Sequence, residues 1–204
     1  MEKTFADWKR HLSEEKFGIN LFPEFEIRAQ EVSSEVFRVT AISEVSGVIS
    51  SLVKTEHIGK AVVDDCPLQQ AGGVRDTLVS LGVEVYTEAA DIRVHAETAD
   101  IGISYAEFGV AETGSVFMDS FSPESRLVSS LPPMHIVFIN SGNIVSGIED
   151  ALAIIAASFD RGYISFITGP SRTADIERVL AIGVHGPSRL VIIAVDEEVK
   201  RGGA

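Results

Sequence analysis

Three short segments of the chain combine residue types that bind or transform small molecules. The first spans residues 111–115, where the carboxylate of Glu112 and the hydroxyls of Thr113 and Ser115 surround Gly114. Glycine allows a ligand to approach the backbone closely, and the neighbouring side chains could bind such a ligand. The same residues are also common in tight turns that bind nothing. The sequence leaves both interpretations open.

The second segment, residues 168–177, directly follows an apolar run and has the composition of an anion-binding loop. Free backbone amides at a helix start, here near Thr173, bind anions, and the planar guanidinium of Arg172 matches a carboxylate or a phosphate. The candidate ligand-binding residues of this segment are Gly169, Ser171, Arg172, Thr173, Asp175 and Glu177. The alternative is an ordinary helix start, with Arg172 in solvent or paired to Asp175 or Glu177.

The third segment, residues 183–187, places His185 in a glycine-containing loop between two apolar runs. Histidine titrates near neutral pH and can act as an acid, a base or a ligand, although a single histidine in a loop more often has a structural role. His185 is therefore a candidate ligand-binding residue. Glu112 and His185 are the two candidates for catalysis.

We expect the first two segments to form one site. In open α/β sheets, ligands gather outside the carboxyl ends of the strands, so the loops that follow strands are the places to search. Arg172 and the amides of residues 169–173 would bind a small carboxylate or phosphate. Glu112, Thr113 and Ser115 would form the facing wall. This hypothesis requires the sheet to bring both segments to a common edge.

Other common chemistries find no support in the sequence. It contains no GxGxxG dinucleotide fingerprint, no GxxxxGK[ST] phosphate loop and no GxSxG nucleophile elbow. His95 and Glu97 have the HxE spacing of zinc deaminases, but the paired cysteines that complete that metal site are missing. Cys66 is the single cysteine, so the chain can form no internal disulfide and cannot supply the thiolates of an iron–sulphur cluster. We expect this chain to bind no metal.

The alternation of helical and strand patterns predicts an α/β fold with a mostly parallel sheet flanked by helices. Short apolar runs favour strands near residues 36–39, 61–63, 83–85, 101–105, 115–119, 135–139, 163–168 and 190–195. Helical spacing favours helices between most of these runs. The clearest of them begins with a predicted capping box, in which Ser146 and Glu149 satisfy free backbone amides.

The length of 204 residues and the 45% hydrophobic content fit a single domain, here taken as residues 1–204. Phe5, Trp8 and Leu12 recur at helical spacing and predict an amphipathic helix over about residues 4–16, with a second helix near residues 25–32. We expect these N-terminal helices, about residues 4–32, to pack on the core or to extend from it towards a partner.

Charge and composition narrow the class of partner. The net charge of -13 would repel nucleic acid and anionic lipid, and no local cluster of Lys and Arg reverses this. The first residues lack the apolar core of a signal peptide, and no apolar stretch approaches the roughly 20 residues of a membrane span. A single cysteine is typical of a reducing compartment. We therefore predict a cytoplasmic protein with no nucleic-acid partner and no membrane insertion.

Taken in order, the three segments resemble the LutC-like lactate-utilisation (LUD domain) family. The matching stretches are residues 111–115 (AETGS), 169–177 (GPSRTADIE) and 183–187 (GVHGP), and the resemblance is strongest over residues 72–197. It implies a fold similar to that of sugar-phosphate isomerases, CoA transferases and formyltetrahydrofolate cyclo-ligases. It also implies a role beside iron–sulphur partner subunits that oxidise L-lactate to pyruvate. It carries the motif positions over as ligand-binding candidates and implies no catalytic role for them.

Three functions are compatible with this resemblance. The first is an accessory subunit of a cytoplasmic lactate-oxidising system, in which partner proteins hold the iron–sulphur clusters and this chain holds no cofactor. The second is a stand-alone enzyme for a small anion or an acyl-CoA, with Glu112 as an acyl-accepting nucleophile. The third is a non-catalytic assembly subunit whose N-terminal helix docks a partner. The cysteine count favours the first, because electrons would then travel through clusters held by the partners.

Overall fold

The computed structural model describes residues 5–64, 66–158, 163–173, 181–182 and 186–199. The α-helices in this part of the chain are α1 (Phe22–Glu31), α2 (Val45–Glu56), α3 (Pro67–Ala71), α4 (Val74–Ser80), α5 (Ala89–His95), α6 (Pro123–Ser130) and α7 (Ile148–Ser158). The strands are β1 (Glu35–Val39), β2 (Lys60–Val63), β3 (Glu84–Tyr86), β4 (Ile101–Tyr105), β5 (Phe108–Val110), β6 (Ser115–Asp119), β7 (Met134–Asn140), β8 (Ile144–Val145), β9 (Ile164–Ile167), β10 (Arg172–Thr173), β11 (Ala181–Ile182) and β12 (Arg189–Val195). None of the described helices has the length and apolar character that crossing a membrane requires.

A six-stranded sheet forms the centre of the molecule, in the order β1-β12-β7-β4-β2-β3. Every neighbouring pair in it is parallel. The connections between parallel strands must cross over the sheet, and helices such as α2, α4 and α6 make these crossovers. The prediction of an α/β fold with a mostly parallel sheet flanked by helices is confirmed.

The two faces of this sheet pack against different elements. On β7, Met134, Ile136 and Phe138 pack with residues of α2, α3 and α4. The alternate residues Val137 and Ile139 pack with α1 and with a second sheet. Because successive side chains of a strand point to opposite faces, β7 is buried along its whole length.

The second sheet has four strands in the order β8-β5-β6-β9. β6 is antiparallel to both β5 and β9, whereas β8 is parallel to β5. The sequence predicts strands at the positions of β6 and β9, but it places them in the mostly parallel sheet. The connection between β5 and β6 is the short turn at residues 111–114, which is long enough for a hairpin and too short for a parallel crossover.

The N-terminal segment covers the outer face of the second sheet. The ring of Trp8 lies 5.4 Å from that of Phe108, which in turn stacks on Phe117 at 4.5 Å. The predicted α-helix over about residues 4–16 is wrong in type, since the segment forms 3-10 helices at Phe5–His11 and Glu14–Lys16. Extended backbone at Ser13 separates the two. The second predicted helix is present as α1, which begins earlier than expected and has a proline in its first turn.

Close contact between α6 and β4 fixes the position of α6 on the sheet. A Cβ atom at Gly102 of β4 would lie 1.9 Å from the backbone carbonyl oxygen of Val128 in α6. The helix begins as the sequence predicts, with the hydroxyl of Ser122 accepting a hydrogen bond from the amide of Ser125. Gly102 is also the register partner of His135 on β7, so this contact brings α6 close to His135.

The Gly102 contact predicts opposite effects for two glycine substitutions. Gly102→Ala should lower the free energy of unfolding by about 1–3 kcal/mol, because the added methyl group forces α6 away from the sheet. Gly47→Ala in α2 is the matched control, since a Cβ there meets nothing within 4 Å. It should raise stability by about 0.5–1 kcal/mol through helix propensity. Chemical denaturation measures both, and equal stability of the two variants would contradict the close contact.

Candidate functional site

A chain of hydroxyl groups joins the first two candidate segments. The hydroxyl of Ser115 lies 2.8 Å from that of Thr113 and 2.7 Å from that of Thr168. The antiparallel pairing of β6 with β9 produces this proximity, because the start of one strand faces the end of the other. The structure thus brings the two segments together in the second sheet, whereas the sequence analysis expected them at the carboxyl edge of the parallel sheet.

The glycines of both segments pack against α1 and the residues that follow it. Gly114 and Gly169 have positive φ angles of 64° and 75°. A Cβ atom at Gly114 would lie 2.2 Å from the backbone nitrogen of Ala29, and one at Gly169 would lie 2.2 Å from the carbonyl oxygen of Val32. These two glycines are therefore required for the close packing of α1 and the residues after it. For the segment of Gly114, the sequence left ligand binding and a tight turn open as alternatives.

Arg172 contacts the end of the same helix. Its Nη2 atom donates to the carbonyl oxygen of Val32 at 3.2 Å and to the hydroxyl of Ser33. A cation at a helix C-terminus is stabilised by the carbonyl groups that the helix leaves unpaired. The guanidinium of Arg172 is exposed and has further donors, so its proposed contact with a small anion stays a prediction.

Glu112 accepts a hydrogen bond at the start of α7. Its carboxylate lies 3.0 Å from the backbone amide of Ile148, at the end of the helix where the dipole favours negative charge. The sequence predicted a capping box between Ser146 and Glu149 at this position. In the structure the hydroxyl of Ser146 donates to Asp150. Glu112, distant in sequence, provides the acceptor that local sequence patterns could not reveal.

Three of the candidate ligand-binding residues, Asp175, Glu177 and His185, lie outside the described residues. For Thr173 the structure gives the backbone, which pairs with Ala181 in the short ladder of β10 and β11. The helix expected to begin near Thr173 is replaced at that residue by this strand. The roles of these four residues stay predictions.

A cavity of about 220 Å³ lies beside the second segment. It is lined by Ser129, Ser130, His135, Ser165, Phe166, Ile167, Gly169, Ser171, Pro187 and Leu190. These residues belong to the last turn of α6, the strand β9, the second segment, the end of the third segment (Pro187) and the amino ends of β7 and β12. We call it the His135 cavity. Gly169 and Ser171 are the two sequence-predicted site residues that line it.

His135 is the polar residue that gives this cavity its chemistry. Its side chain is fully buried, and its Nε2 atom lies 2.6 Å from the hydroxyl of Ser104. The Nδ1 atom has no hydrogen-bond partner among the described residues. Burial alone lowers the pKa of His135 to about 4, so the imidazole is neutral at pH 7. A neutral imidazole offers one donor and one acceptor.

His135 is not among the site residues predicted from the sequence, because the surrounding pattern is that of an apolar strand. The signal was available: within Met134–Asn140, His135 lies on the same face as Val137 and Ile139, which the structure buries between the two sheets. A polar group buried on such a face needs a hydrogen-bond partner, and an unpaired one is a reason to suspect a ligand.

The described residues offer hydrogen bonding and no metal chemistry at this cavity. None of its described lining residues carries a charge at neutral pH. In the part of the chain that the structure covers, no group of three or more His, Cys, Asp and Glu side chains could hold a metal ion. The arrangement can therefore bind a small polar molecule and exchange a proton with it through His135.

Comparisons with known proteins agree with the fold. The family model of the LUD domain matches residues 22–195. The chain is similar to the lactate utilization protein C of Halalkalibacterium halodurans, with 31% identity covering 86% of this chain and 85% of the relative. A relative of the same name from Bacillus pumilus is 28% identical and covers 94% of this chain and 86% of its own. The crystal structure of a DUF162 family protein from Deinococcus radiodurans superposes with a TM-score of 0.60 at 21% identity, covering 90% of this chain and 99% of that one.

The contact between Glu112 and α7 predicts a structural role for this carboxylate. Glu112→Ala should lower the free energy of unfolding by about 1 kcal/mol, the usual effect of removing a helix cap. Glu112→Gln keeps an oxygen acceptor and should lose only a few tenths of a kcal/mol. Denaturant unfolding measures both, with Glu198→Ala, an exposed carboxylate outside helices and strands, as the control. If Glu112→Ala is as stable as the control, the carboxylate does not stabilise α7.

The buried imidazole predicts a pH dependence of stability. As the pH falls from about 6.5 to about 4, the unfolded chain takes up a proton on His135 and the folded chain does not. The free energy of unfolding should therefore fall with pH in this window by roughly 3 kcal/mol, at about 1.4 kcal/mol per pKa unit. His135→Gln should remove that part of the slope, and the exposed His11→Gln should not. Urea titrations between pH 4.5 and 7 measure the difference, and identical slopes for wild type and His135→Gln would contradict it.

Proposed function

Because the chain belongs to the LUD domain family, we propose that it is an accessory subunit of a cytoplasmic system that oxidises L-lactate to pyruvate with iron–sulphur partner proteins. The observation that carries the proposal is the 31% identity, over 86% of the chain, to a protein named lactate utilization protein C. That name supports a role in lactate utilisation. The division of labour with iron–sulphur partners is the further step that we propose.

The cysteine content supports this division of labour. Oxidation of a hydroxy acid to an oxo acid releases two electrons, which must pass to an acceptor. An iron–sulphur cluster is usually held by four thiolates, and the chain has one cysteine, Cys66, which is buried. A partner protein with several cysteines would therefore hold the electron-carrying centre, and this chain would bind substrate or organise the complex.

The two alternative functions have less support from the described contacts. In an acyl-transfer enzyme Glu112 would be the nucleophile, and here one oxygen of its carboxylate already accepts a hydrogen bond from the amide of Ile148. In an assembly subunit the N-terminal segment would dock a partner, and here its Trp8 is 4% exposed and packs on the second sheet. Both residues therefore already have contacts within the fold.

Reconstitution tests the proposal. The purified chain, candidate iron–sulphur partner proteins and the mixture of both are assayed for reduction of an artificial electron acceptor by L-lactate, with D-lactate as the substrate control. We expect reduction with the mixture that exceeds that of either component by at least tenfold. Full activity of the partners without this chain would contradict an accessory role. Activity of this chain alone would contradict the need for partners.

A further inference from the structure

We propose that the His135 cavity binds a small monocarboxylic acid of the 2-hydroxy or 2-oxo type, with the carboxylate hydrogen-bonded to Nδ1 of His135. This inference rests on the proposed function and adds to it the place and the chemistry of substrate binding. It rests on four features of the cavity, which are its size, the hydroxyl groups that line it, the unpaired nitrogen and the electrostatic surroundings.

The size of the cavity suits a three-carbon acid. Its volume is about 220 Å³. It is smaller than the range of about 300–1,000 Å³ that is typical of sites for drug-sized ligands. A molecule of the size of lactate or pyruvate fits this volume.

The lining has a polar and an apolar part. Ser165 accepts a hydrogen bond from Ser120 at 2.7 Å, which leaves its own hydroxyl hydrogen free to donate. Ser171 adds a second hydroxyl group to the lining. Phe166, Ile167, Pro187 and Leu190 form the apolar part. A short acid with a carboxylate and a hydroxyl or keto group at one end and a methyl group at the other matches this division.

The unpaired nitrogen provides the point of attachment. Nδ1 of His135 has no partner among the described residues, although the side chain is wholly buried. An unpaired buried polar group costs stability, so a ligand that supplies the missing hydrogen bond gains that free energy on binding. Nε2 is already paired with the hydroxyl of Ser104, which fixes the orientation of the ring.

Charge balance makes the binding of an anion depend on a proton. Among the described residues, the charged side chains on the neighbouring elements make other contacts: Glu124 with Arg93, Arg126 with the carbonyl oxygens of Ser120 and Phe121, Arg189 with Glu35 and Glu56, and Asp119 with the amide of Phe121. Arg172, next to Ser171, donates to the carbonyl oxygen of Val32 and to the hydroxyl of Ser33 and keeps further exposed donors. His135 is the one residue among the described lining residues whose side chain can take up a proton to become a cation. A carboxylate in the cavity would favour the imidazolium form, so the acid binds together with one proton.

The pH dependence of binding follows from this coupling. The empty cavity keeps His135 neutral, with a pKa of about 4, and the bound carboxylate raises that pKa. Between the two pKa values, the dissociation constant of the anion should rise about tenfold for each pH unit. An uncharged analogue such as lactamide needs no proton and should bind with the same affinity at every pH.

Nuclear magnetic resonance of the imidazole nitrogens in the full chain tests the proposal directly. L-lactate, pyruvate and lactamide are titrated at pH 5, 6 and 7. We expect the two acids to shift the His135 signals towards those of imidazolium, with affinity that falls about tenfold per pH unit. An acid that leaves these signals unchanged at saturating concentration would overturn the proposal. So would lactamide binding as tightly as lactate at pH 5, because the cavity would then select an uncharged molecule.

Two variants locate the binding in the cavity. His135→Gln should weaken lactate binding at pH 5 at least tenfold, and His11→Gln should leave it unchanged. Ser171→Ala keeps His135 in place and should weaken binding severalfold, which keeps the test available if His135→Gln is poorly folded. If both cavity variants bind lactate like the wild type, the proposal is wrong.

Failure here can be separated from failure of the proposed function. If the reconstituted system oxidises L-lactate and the acids do not perturb His135, the chain takes part in lactate oxidation without using this cavity. If the acids bind at His135 and reconstitution gives no electron transfer, the cavity proposal stands and the accessory role does not.

Discussion

The burial of β7 and β12 on both faces is the constraint on which the rest of the structure depends. These two strands form the middle of the parallel sheet, and their alternate residues enter two different cores. One face is covered by helices, as in many α/β proteins. The other face is covered by α1 and by the second sheet. The outer face of the second sheet is covered in turn by α7 and by the N-terminal segment that contains Trp8. Each added layer buries the apolar surface that the previous one leaves.

This layering explains the position of the His135 cavity. At the amino ends of β7 and β12, the helix α6 and the strand β9 leave a space between them, and this space is the cavity. His135 lines that space and pairs with Ser104 of β4, whereas Val137 and Ile139, on the same face of β7, are apolar. The candidate site is therefore placed by packing between layers, away from the carboxyl edge where open α/β sheets usually bind ligands.

The sequence was sufficient for most strands and for the class of fold, because apolar runs and helical spacing are local signals. It was insufficient wherever a contact joins distant residues. The pairing of Glu112 with the start of α7, the antiparallel partners of β6 and the burial of His135 all depend on the tertiary structure. The short strands β5 and β8 also left no clear pattern. In the first two candidate segments, Gly114 and Gly169 are required because α1 and the residues after it approach closely. The glycines of such a motif can therefore reflect packing as well as ligand binding.

The position of β12 has a consequence for how the chain acquires its structure during synthesis. β12, at residues 189–195, lies between β1 and β7 and is the sheet neighbour through which β1 joins the other strands. Since the ribosome releases the chain from its N-terminus, β1 has no strand to pair with until residue 189 and those after it have emerged. β1 therefore pairs only after β12 has emerged, and a nascent chain that stops before β12 exposes two unpaired strand edges of the kind that promote aggregation.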